Sequence, residues 1–264
     1  MEYASKIKLG MEVSFVVCAI DGFTGRNAVG GIIDVFIRDV PVKPVRKHDG
    51  YYVFTRLPEG QYEIVVESDR YFNESMIVST GELENKERTV FVPLMPKPSY
   101  NFPGGTTLIR STLVDKKSGP AVKADVKAAV LTEDCSRARL SREGAKKGDS
   151  RISLVDISGL IAAGDSFVIK DKEKSELCRI SKINEDAGSF VLKQPLEHNY
   201  ERGALMLPVI YSKANENGEI AVYFRNLRKK FFDVELELAF EGNVSAKVLG
   251  IEEGKTTLAG IITV

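Results

Sequence analysis

The chain of 264 residues is long enough for two or three domains, and its 43% apolar and 28% charged residues are typical of a globular protein. The 37 basic residues balance the 37 acidic residues, so no net charge favours nucleic acid as a partner. No apolar stretch approaches the roughly 20 residues that span a bilayer, and the N-terminus lacks the basic start and apolar run of a secretory signal. We expect a cytoplasmic protein without a membrane span, or a component of an assembled particle that is later released.

Three cysteines, Cys18, Cys135 and Cys178, are widely spaced along the chain. Their odd number and spacing indicate neither a disulfide framework nor a zinc site. Cys18 and Cys178 stand within strand-like runs, where a thiol usually packs as a small apolar side chain. We therefore expect reduced thiols.

Alternation of apolar and polar residues dominates the chain, and helical periodicity is nearly absent. It is clearest in residues 13–19, 61–67 and 234–241. One apolar and one polar face on a strand is typical of antiparallel sheets packed as a sandwich. The sequence therefore predicts an all-β protein.

A set of turn and strand motifs occurs twice in the same order. The first copy has a turn at 20–25, a strand at 32–37, an Asp-Gly turn leading into 51–54, and a strand at 61–66. The second copy has corresponding motifs at 113–119, 122–131, 217–224 and 232–238. Such a repeat predicts two tandem sandwiches of the immunoglobulin or transthyretin type.

Two segments divide the chain. Residues 93–105 contain four prolines, which favour a stiff, extended connector. In the second copy, about eighty residues separate the strand ending near 131 from the turn at 217, and they contain strand-like runs at 150–155, 165–170, 177–184, 189–193 and 204–210. We predict a sandwich at 1–95, a linker at 96–105, a second sandwich at 106–134 plus 211–264, and an inserted small β-barrel or roll at 135–210.

The motifs of the first copy resemble a known family. Asp-x-x-Thr-Gly at 21–25, Asp-Gly-x-Tyr-x-Phe at 49–54 and Leu-Pro-x-Gly-x-Tyr at 57–62 look like a carboxypeptidase regulatory-like domain, a transthyretin-like (prealbumin-like) sandwich. The resemblance covers residues 10–95 and is looser in the second copy, where Leu227-Arg228-Lys229-Lys230 replaces Leu-Pro-x-Gly. It implies an accessory module of a larger protein or assembly, without the family's zinc-binding peptidase domain.

The insert resembles a second group of proteins. Its segments at 152–160, 164–169 and 183–192 look like the small β-modules of phage virion and tail-like proteins. This resemblance implies a part of an assembled particle.

Residues that usually carry chemistry are scarce. The two histidines, His48 and His198, stand in polar loops, and the chain has no His-Glu-x-x-His or Gly-x-Ser-x-Gly motif. Acidic residues recur at turns, as at Asp21, Asp115 and Asp165, where turn formation is the stronger interpretation and a calcium site the weaker one. We predict no catalytic, cofactor-binding or metal-binding residue.

Two groups of residues are candidates for an interaction surface. The basic cluster consists of Arg137, Arg139, Arg142, Lys146, Lys147 and Arg151. It could bind an acidic partner, although a solvated entry to the insert is the preferred interpretation. The second group is the aromatic pair Tyr71-Phe72, which like Phe231-Phe232 flanks a long strand and belongs either to the core or to a partner surface.

Three functions remain. The first is a non-enzymatic structural or adaptor protein that binds other proteins of a larger assembly, most concretely in a phage tail-like or contractile injection particle. The alternative is a surface or secreted adhesin-like module that binds carbohydrate or protein, which predicts exposed aromatic side chains on one sandwich face. An enzyme is the third, and the shortage of catalytic groups disfavours it. We predict no cofactor and no nucleic-acid partner.

Overall fold

The computed structural model describes residues 12–83, 88–141, 143–184 and 188–264. Nearly all regular structure in these ranges is β-strand, so the predicted all-β fold class is confirmed. No helix in the same ranges has the length and hydropathy needed to cross a membrane. The chain divides into two compact units, Met1–Pro96 and Lys97–Val264.

The described residues of the first unit form seven strands. They are β1 (Val13–Asp21), β2 (Ile33–Ile37), β3 (Val45–Arg46), β4 (Tyr51–Thr55), β5 (Gln61–Ser68), β6 (Glu74–Ser79) and β7 (Thr89–Leu94). One sheet has the order β3-β4-β1-β7, with β1 and β7 parallel, and the other has the order β2-β5-β6. Both β6 and β2 are therefore edge strands.

The two sheets of the first unit face each other across an aromatic core. The ring of Phe15 on β1 lies 4.9 Å from that of Phe54 on β4 and 6.4 Å from that of Tyr62 on β5. The Tyr52 hydroxyl on β4 donates a hydrogen bond of 3.2 Å to the carbonyl of Ile33 on β2. Buried positions alternate with more exposed ones along β2, β4 and β7, while β1 and β5 each contain three consecutive buried residues.

In the second unit the described residues form twelve strands. They are β8 (Thr107–Val114), β9 (Asp125–Val130), β10 (Ala138–Leu140), β11 (Arg151–Val155), β12 (Ser166–Asp171), β13 (Lys174–Asn184), β14 (Ser189–Leu192), β15 (Leu205–Lys213), β16 (Glu219–Phe224), β17 (Phe231–Phe240), β18 (Asn243–Glu252) and β19 (Thr256–Thr263). One sheet has the order β16-β8-β19, with β8 and β19 parallel. Opposite it lie β9, β17 and β18, which are the last three strands of a nine-stranded sheet.

These two sheets repeat the strand order of the first unit. Their inward side chains form one core, which includes Ile109 and Leu113 of β8, Val222 of β16, and Leu236 and Leu238 of β17. Part of the predicted linker packs on this unit, because the Arg110 guanidinium donates a hydrogen bond of 2.9 Å to the Pro98 carbonyl.

The inserted residues form a closed ring of six antiparallel strands. Its order is β10-β11-β14-β13-β12-β15, and β15 pairs back with β10. Closure leaves no open edge, and the interior is filled by side chains such as Phe167, Ile169, Ile180 and Met206. The ring joins the second sandwich through β15, whose residues 209–213 pair with β9.

Five of the ring strands lie where the alternation predicts them. The sixth, β10, has three residues, too few for alternation to be recognised. It nevertheless closes the ring, since Arg139 pairs with Val155 on one side and with Leu205 on the other.

Candidate protein-interaction surface

Arg137, predicted on an interaction surface, is buried and only 4% exposed. Its guanidinium donates hydrogen bonds to the carbonyls of Ser158 (3.2 Å) and Leu160, and it lies 3.8 Å from the Asp165 carboxylate. Burial lowers the pKa of Arg137, and the Asp165 charge opposes that shift. The prediction was wrong for this residue because a partly buried carboxylate and two carbonyls satisfy its charge and donors inside the fold.

Asp165 links Arg137 to the neighbouring sandwich. Its carboxylate also lies 3.7 Å from the Arg225 guanidinium, which follows strand β16, and it accepts a hydrogen bond of 3.0 Å from the Ala162 amide. One carboxylate therefore stands between two arginines, one from the ring and one from the sandwich. This cluster holds two parts of the second unit together and is not an anion site.

Four other members of the basic cluster are exposed and lie in different parts of the insert. Arg139 lies on β10, and Lys146 and Lys147 lie in the following loop. Arg151 is the first residue of β11, whereas Arg139 pairs with Val155, the last residue of that strand. Arg142 lies outside the described residues. The remaining cations therefore do not form one compact basic patch.

Arg139 is also partly neutralised. Its guanidinium lies 3.7 Å from the Asp156 carboxylate, which Arg228 approaches to 3.1 Å. Arg228 donates hydrogen bonds to both the carboxylate and the carbonyl of Asp156. The hydrogen bond and charge of Arg228, followed by the charge of Arg139, hold the pKa of Asp156 below its ordinary value.

The aromatic pairs are divided between core and surface. Tyr71 is 3% exposed, so its predicted place on an interaction surface was wrong: its side chain packs in the interior of the first unit. Phe72 is partly exposed. In the second unit Phe232 is buried and Phe231 is 64% exposed.

The most exposed strand of the second unit was not among the predicted sites. Among the described residues, strand β18 pairs only with β17 and is an edge strand, and residues 243–248 are exposed without interruption. Val244 is 66% and Val248 58% exposed. We call this strand, with its unpaired side, the β18 edge.

The β18 edge carries its apolar side chains on the outward face. In the ladder with β17, Val244, Ala246 and Val248 lie opposite Ala239, Glu237 and Glu235, none of which is buried. The inward positions are taken by two polar residues, Ser245 and Lys247. The usual assignment of polar residues to solvent and apolar residues to the core is therefore reversed over this half of the strand.

The sequence pattern of this strand predicts the opposite placement of its side chains. Val244, Ala246 and Val248 alternate with Ser245 and Lys247, which would ordinarily place the two valines in the core. The register set by the preceding hairpin turns them outward instead.

An open groove of about 710 Å³ lies at the far end of the same hairpin. Its lining includes the exposed Phe231 together with Asp233, Gly250, Lys255 and Thr257. The Lys230 ammonium lies 5.3 Å from the centre of the Phe231 ring. The exposed Phe231 ring is therefore a second apolar feature of this hairpin.

The turn aspartates have structural roles. Asp21 accepts hydrogen bonds from the amides of Phe23 (2.7 Å) and Thr24 (3.3 Å). Asp115 accepts them from the amides of Lys117 (2.7 Å) and Gly119 (2.8 Å). These are Asx turns, and the described residues contain no cluster of three potential metal ligands.

The thiols and histidines form no catalytic arrangement. All three cysteines are buried, and burial raises the pKa of each, that of Cys178 to about 12. His48 and His198 are exposed, and His198 lies 2.9 Å from the Glu176 carboxylate. A thiol held neutral in this way is a poor nucleophile.

No protein-family model and no curated protein matches the sequence. Three similar solved structures illustrate the structural comparison. They are a streptococcal ancillary pilin (10% identity, 97% of this chain and 63% of that chain covered, TM-score 0.25), the shaft pilin of Lactobacillus rhamnosus GG (8%, 96% and 97%, 0.24) and the major pilin subunit of Bacillus cereus (10%, 96% and 99%, 0.22). The chain thus spans less than two thirds of the ancillary pilin, at 63%. TM-scores this low carry no argument about function.

Proposed function

We propose that this chain is a non-enzymatic structural protein that binds another protein through the β18 edge. The observation that carries the proposal is the reversed strand: Val244 and Val248 face solvent while Lys247 points towards the core side. Two exposed valines on an edge gain free energy when a partner covers them.

The backbone of the same strand supports a protein partner. An unpaired edge presents a row of amide and carbonyl groups to which an extended peptide can add as a further strand. Many proteins shield such edges with very short strands, whereas β18 is ten residues long. Main-chain pairing would supply affinity, and the outward valines would supply selectivity.

An enzymatic function has little support. The buried thiols have raised pKa values, and the exposed His198 ring is held against a carboxylate in a loop. The turn aspartates bind backbone amides, as described above. These thiols, this imidazole and these carboxylates are therefore buried or engaged in structural contacts.

Two settings for such a protein were predicted, a tail-like particle and a surface or secreted adhesin-like module. The comparisons give the tail-like setting no support. The adhesin-like setting with a carbohydrate ligand calls for several exposed aromatic rings grouped on one sandwich face. Among the described residues the exposed rings are those of Phe91 in the first unit and of Tyr211 and Phe231 in the second. Tyr211 is level with Glu237, six residues along β17 from Phe231, so these two rings do not form a group. We therefore propose that the ligand is a protein. The experiment below identifies it and thereby the setting.

Site-specific photo-crosslinking tests the proposal. A photoreactive amino acid replaces Val248 in the full chain, which is expressed in its native host, and crosslinked species are identified by mass spectrometry. The matched control carries the same group at Val122, an exposed valine in a turn of the same unit. We expect a protein adduct at position 248 and none at 122. Protein adducts of equal yield at both positions, or no protein adduct at position 248, would overturn the proposal.

A further inference from the structure

Strand β6 of the first unit is an edge that matches β18. Each is the third strand of a three-strand antiparallel arrangement, β2-β5-β6 and β9-β17-β18. No described residue outside β5 pairs with β6. Its outward face carries Ile77, which is 69% exposed and therefore as open to solvent as Val244.

The hydrogen-bonding groups of β18 can be assigned from its ladder. The Glu253 amide donates a hydrogen bond of 2.8 Å to the carbonyl of Lys230, which lies directly opposite. These two residues are therefore a hydrogen-bonded pair of the antiparallel ladder. Such pairs alternate along the strands. Ser245 and Lys247 therefore bond to β17, while the amides and carbonyls of Val244 and Ala246 point to the unpaired side.

The same reasoning applies to β6. The Thr80 amide donates a hydrogen bond of 2.9 Å to the carbonyl of Gly60 opposite it. Because hydrogen-bonded pairs alternate along the ladder, Val78, Met76 and Glu74 also form hydrogen-bonded pairs with β5. The amides and carbonyls of Ser75 and Ile77 then point to the unpaired side. On both edges the outward residues carry the unpaired backbone groups.

From these edges we infer that a partner of this chain is a second copy of itself, with β6 of one copy adding antiparallel to β18 of the next. Val244 then lies opposite Ile77 and Ala246 opposite Ser75, and these pairs exchange main-chain hydrogen bonds. Lys247 lies opposite Glu74. Because both strands hold the same place in their sheets, this antiparallel pairing keeps the two core faces on one side of the joined sheet. The inference rests on the proposed function.

The side chains favour this register. Val244 and Ile77, 66% and 69% exposed, cover each other on the outward face. On the inward face the Lys247 ammonium lies next to the carboxylate of the partly buried Glu74, which also has an interaction within its own chain. Apolar pairs and opposite-charge pairs are the combinations that stabilise neighbouring strands.

Charge also disfavours the two symmetric alternatives. In a β18–β18 pair, two Lys247 side chains lie on the same inward face, directly opposite or within a few residues of each other. In a β6–β6 pair, two Glu74 side chains do so. Like charges opposite or near each other destabilise a ladder, so the mixed pair is preferred.

A mixed pair is heterologous, because each copy contributes β6 to one neighbour and β18 to another. Such contacts close into rings or continue without a natural limit. A single strand pair is a small interface, so we expect weak association, observed as the concentration approaches roughly 1 mM.

Sedimentation velocity on the full chain provides the first test. We expect the average mass to rise with concentration, and Lys247→Glu or Glu74→Lys to weaken association roughly tenfold, since each replaces attraction by repulsion. The double variant carrying both changes restores the opposite charges and should recover the parent affinity. A parent chain that stays monomeric to roughly 1 mM, or a double variant no better than the single ones, would overturn the inference.

Mixing two blocked variants provides the second test. Ala246→Pro removes an amide on the unpaired side of β18, and Ile77→Pro removes one on the unpaired side of β6, while the bonds to β17 and β5 remain. Each variant alone should be monomeric with parent-like circular dichroism, and the mixture should form a one-to-one dimer. Association of Ile77→Pro alone would indicate a β18–β18 pair and refute the inference, as would association of Ala246→Pro alone. The charge variants retain the test if a proline variant does not fold.

The crosslinking experiment separates this inference from the proposed function. An adduct between position 248 and a second copy supports both. An adduct with a different protein, together with a monomeric parent chain, refutes the self-association and leaves the proposed function standing. No protein adduct at position 248 refutes both.

Discussion

Lys247 of β18 lies directly opposite Leu236 of β17, yet Leu236 is 0% exposed and Lys247 is exposed. Two neighbours in one ladder, with side chains on the same face, therefore have opposite environments. The three-stranded sheet β16-β8-β19 covers β17 but not this half of β18. The core ends between the two strands.

We expect this boundary to appear in stability measurements. Leu236→Ala should lower the free energy of unfolding by about 2–5 kcal/mol, because it leaves a cavity in the sandwich core. Lys247→Ala, the matched change on the adjacent strand, should alter it by less than about 0.5 kcal/mol. Urea unfolding of the two variants checks this difference. A comparable loss in both would mean that β18 is covered along its whole length.

Arg137 should be important for stability, in contrast to the exposed cations near it. Arg137→Ala leaves Asp165 without its buried partner and should cost about 3–5 kcal/mol. Arg139→Ala removes an exposed ion pair and should cost less than about 1 kcal/mol. Thermal or urea unfolding measures both. Equal effects would show that the Arg137 guanidinium is not held by Asp165 and the two carbonyls.

Acid should weaken the attachment of the ring to the sandwich through Asp156. Its pKa is lowered in the folded protein by Arg228, so near the ordinary value of 3.8 the unfolded chain binds more protons than the folded one. The stabilising contribution is therefore complete above pH 3.8 and is lost as the pH falls through the lower folded value.

Asp156→Asn removes this contribution. The variant should show a shallower loss of stability below about pH 4 than the parent, and high salt should reduce the difference because the pair is exposed. Urea unfolding at a series of pH values measures the slope. An unchanged acid slope in Asp156→Asn would contradict this account.

The thiols should be unreactive while the protein is folded. Burial raises the pKa of all three, that of Cys178 to about 12, so little thiolate exists at pH 8. A disulfide-exchange reagent such as Ellman's reagent should react slowly with the native protein and with three thiols after denaturation. A thiol that reacts within seconds in the native protein would be inconsistent with this burial.

Gly218 should tolerate no side chain. It has φ +74°, and a Cβ there would lie 2.3 Å from the Leu113 carbonyl oxygen. Gly203 has a similar φ of +86° but open space around it. Gly203→Ala should therefore cost roughly 1–2 kcal/mol from backbone strain alone, and Gly218→Ala clearly more, as measured by thermal unfolding. Equal costs would exclude a role for the close contact.

Period-two alternation was sufficient to predict the fold class and most strands, because it reports directly which face of a strand is buried. The strands that were not predicted are β3, β6, β7, β8, β10, β18 and β19. Among these, β10 has three residues, which contain less than two full periods. The closure of the ring through β10 depends on its two neighbours, β11 and β15, which are distant in sequence.

The candidate surface was predicted poorly, for two physical reasons. Arg137 stands in a run of charges that resembles a solvated loop, and only the fold brings Asp165 and the two carbonyls to it. Tyr71 stands beside Phe72 in sequence, and only packing separates a buried ring from a partly exposed one.

The sequence by itself determined that this protein is built from strands, since alternation and turn residues act over a few positions. Only the tertiary structure decided which strands form edges and which face of β18 meets solvent. The two-residue turn Glu241-Gly242, with φ of 48° and 81°, sets the register of β18 against β17. Because side chains alternate with a period of two, that register fixes Val244 and Val248 outward, although their pattern alone favours the core.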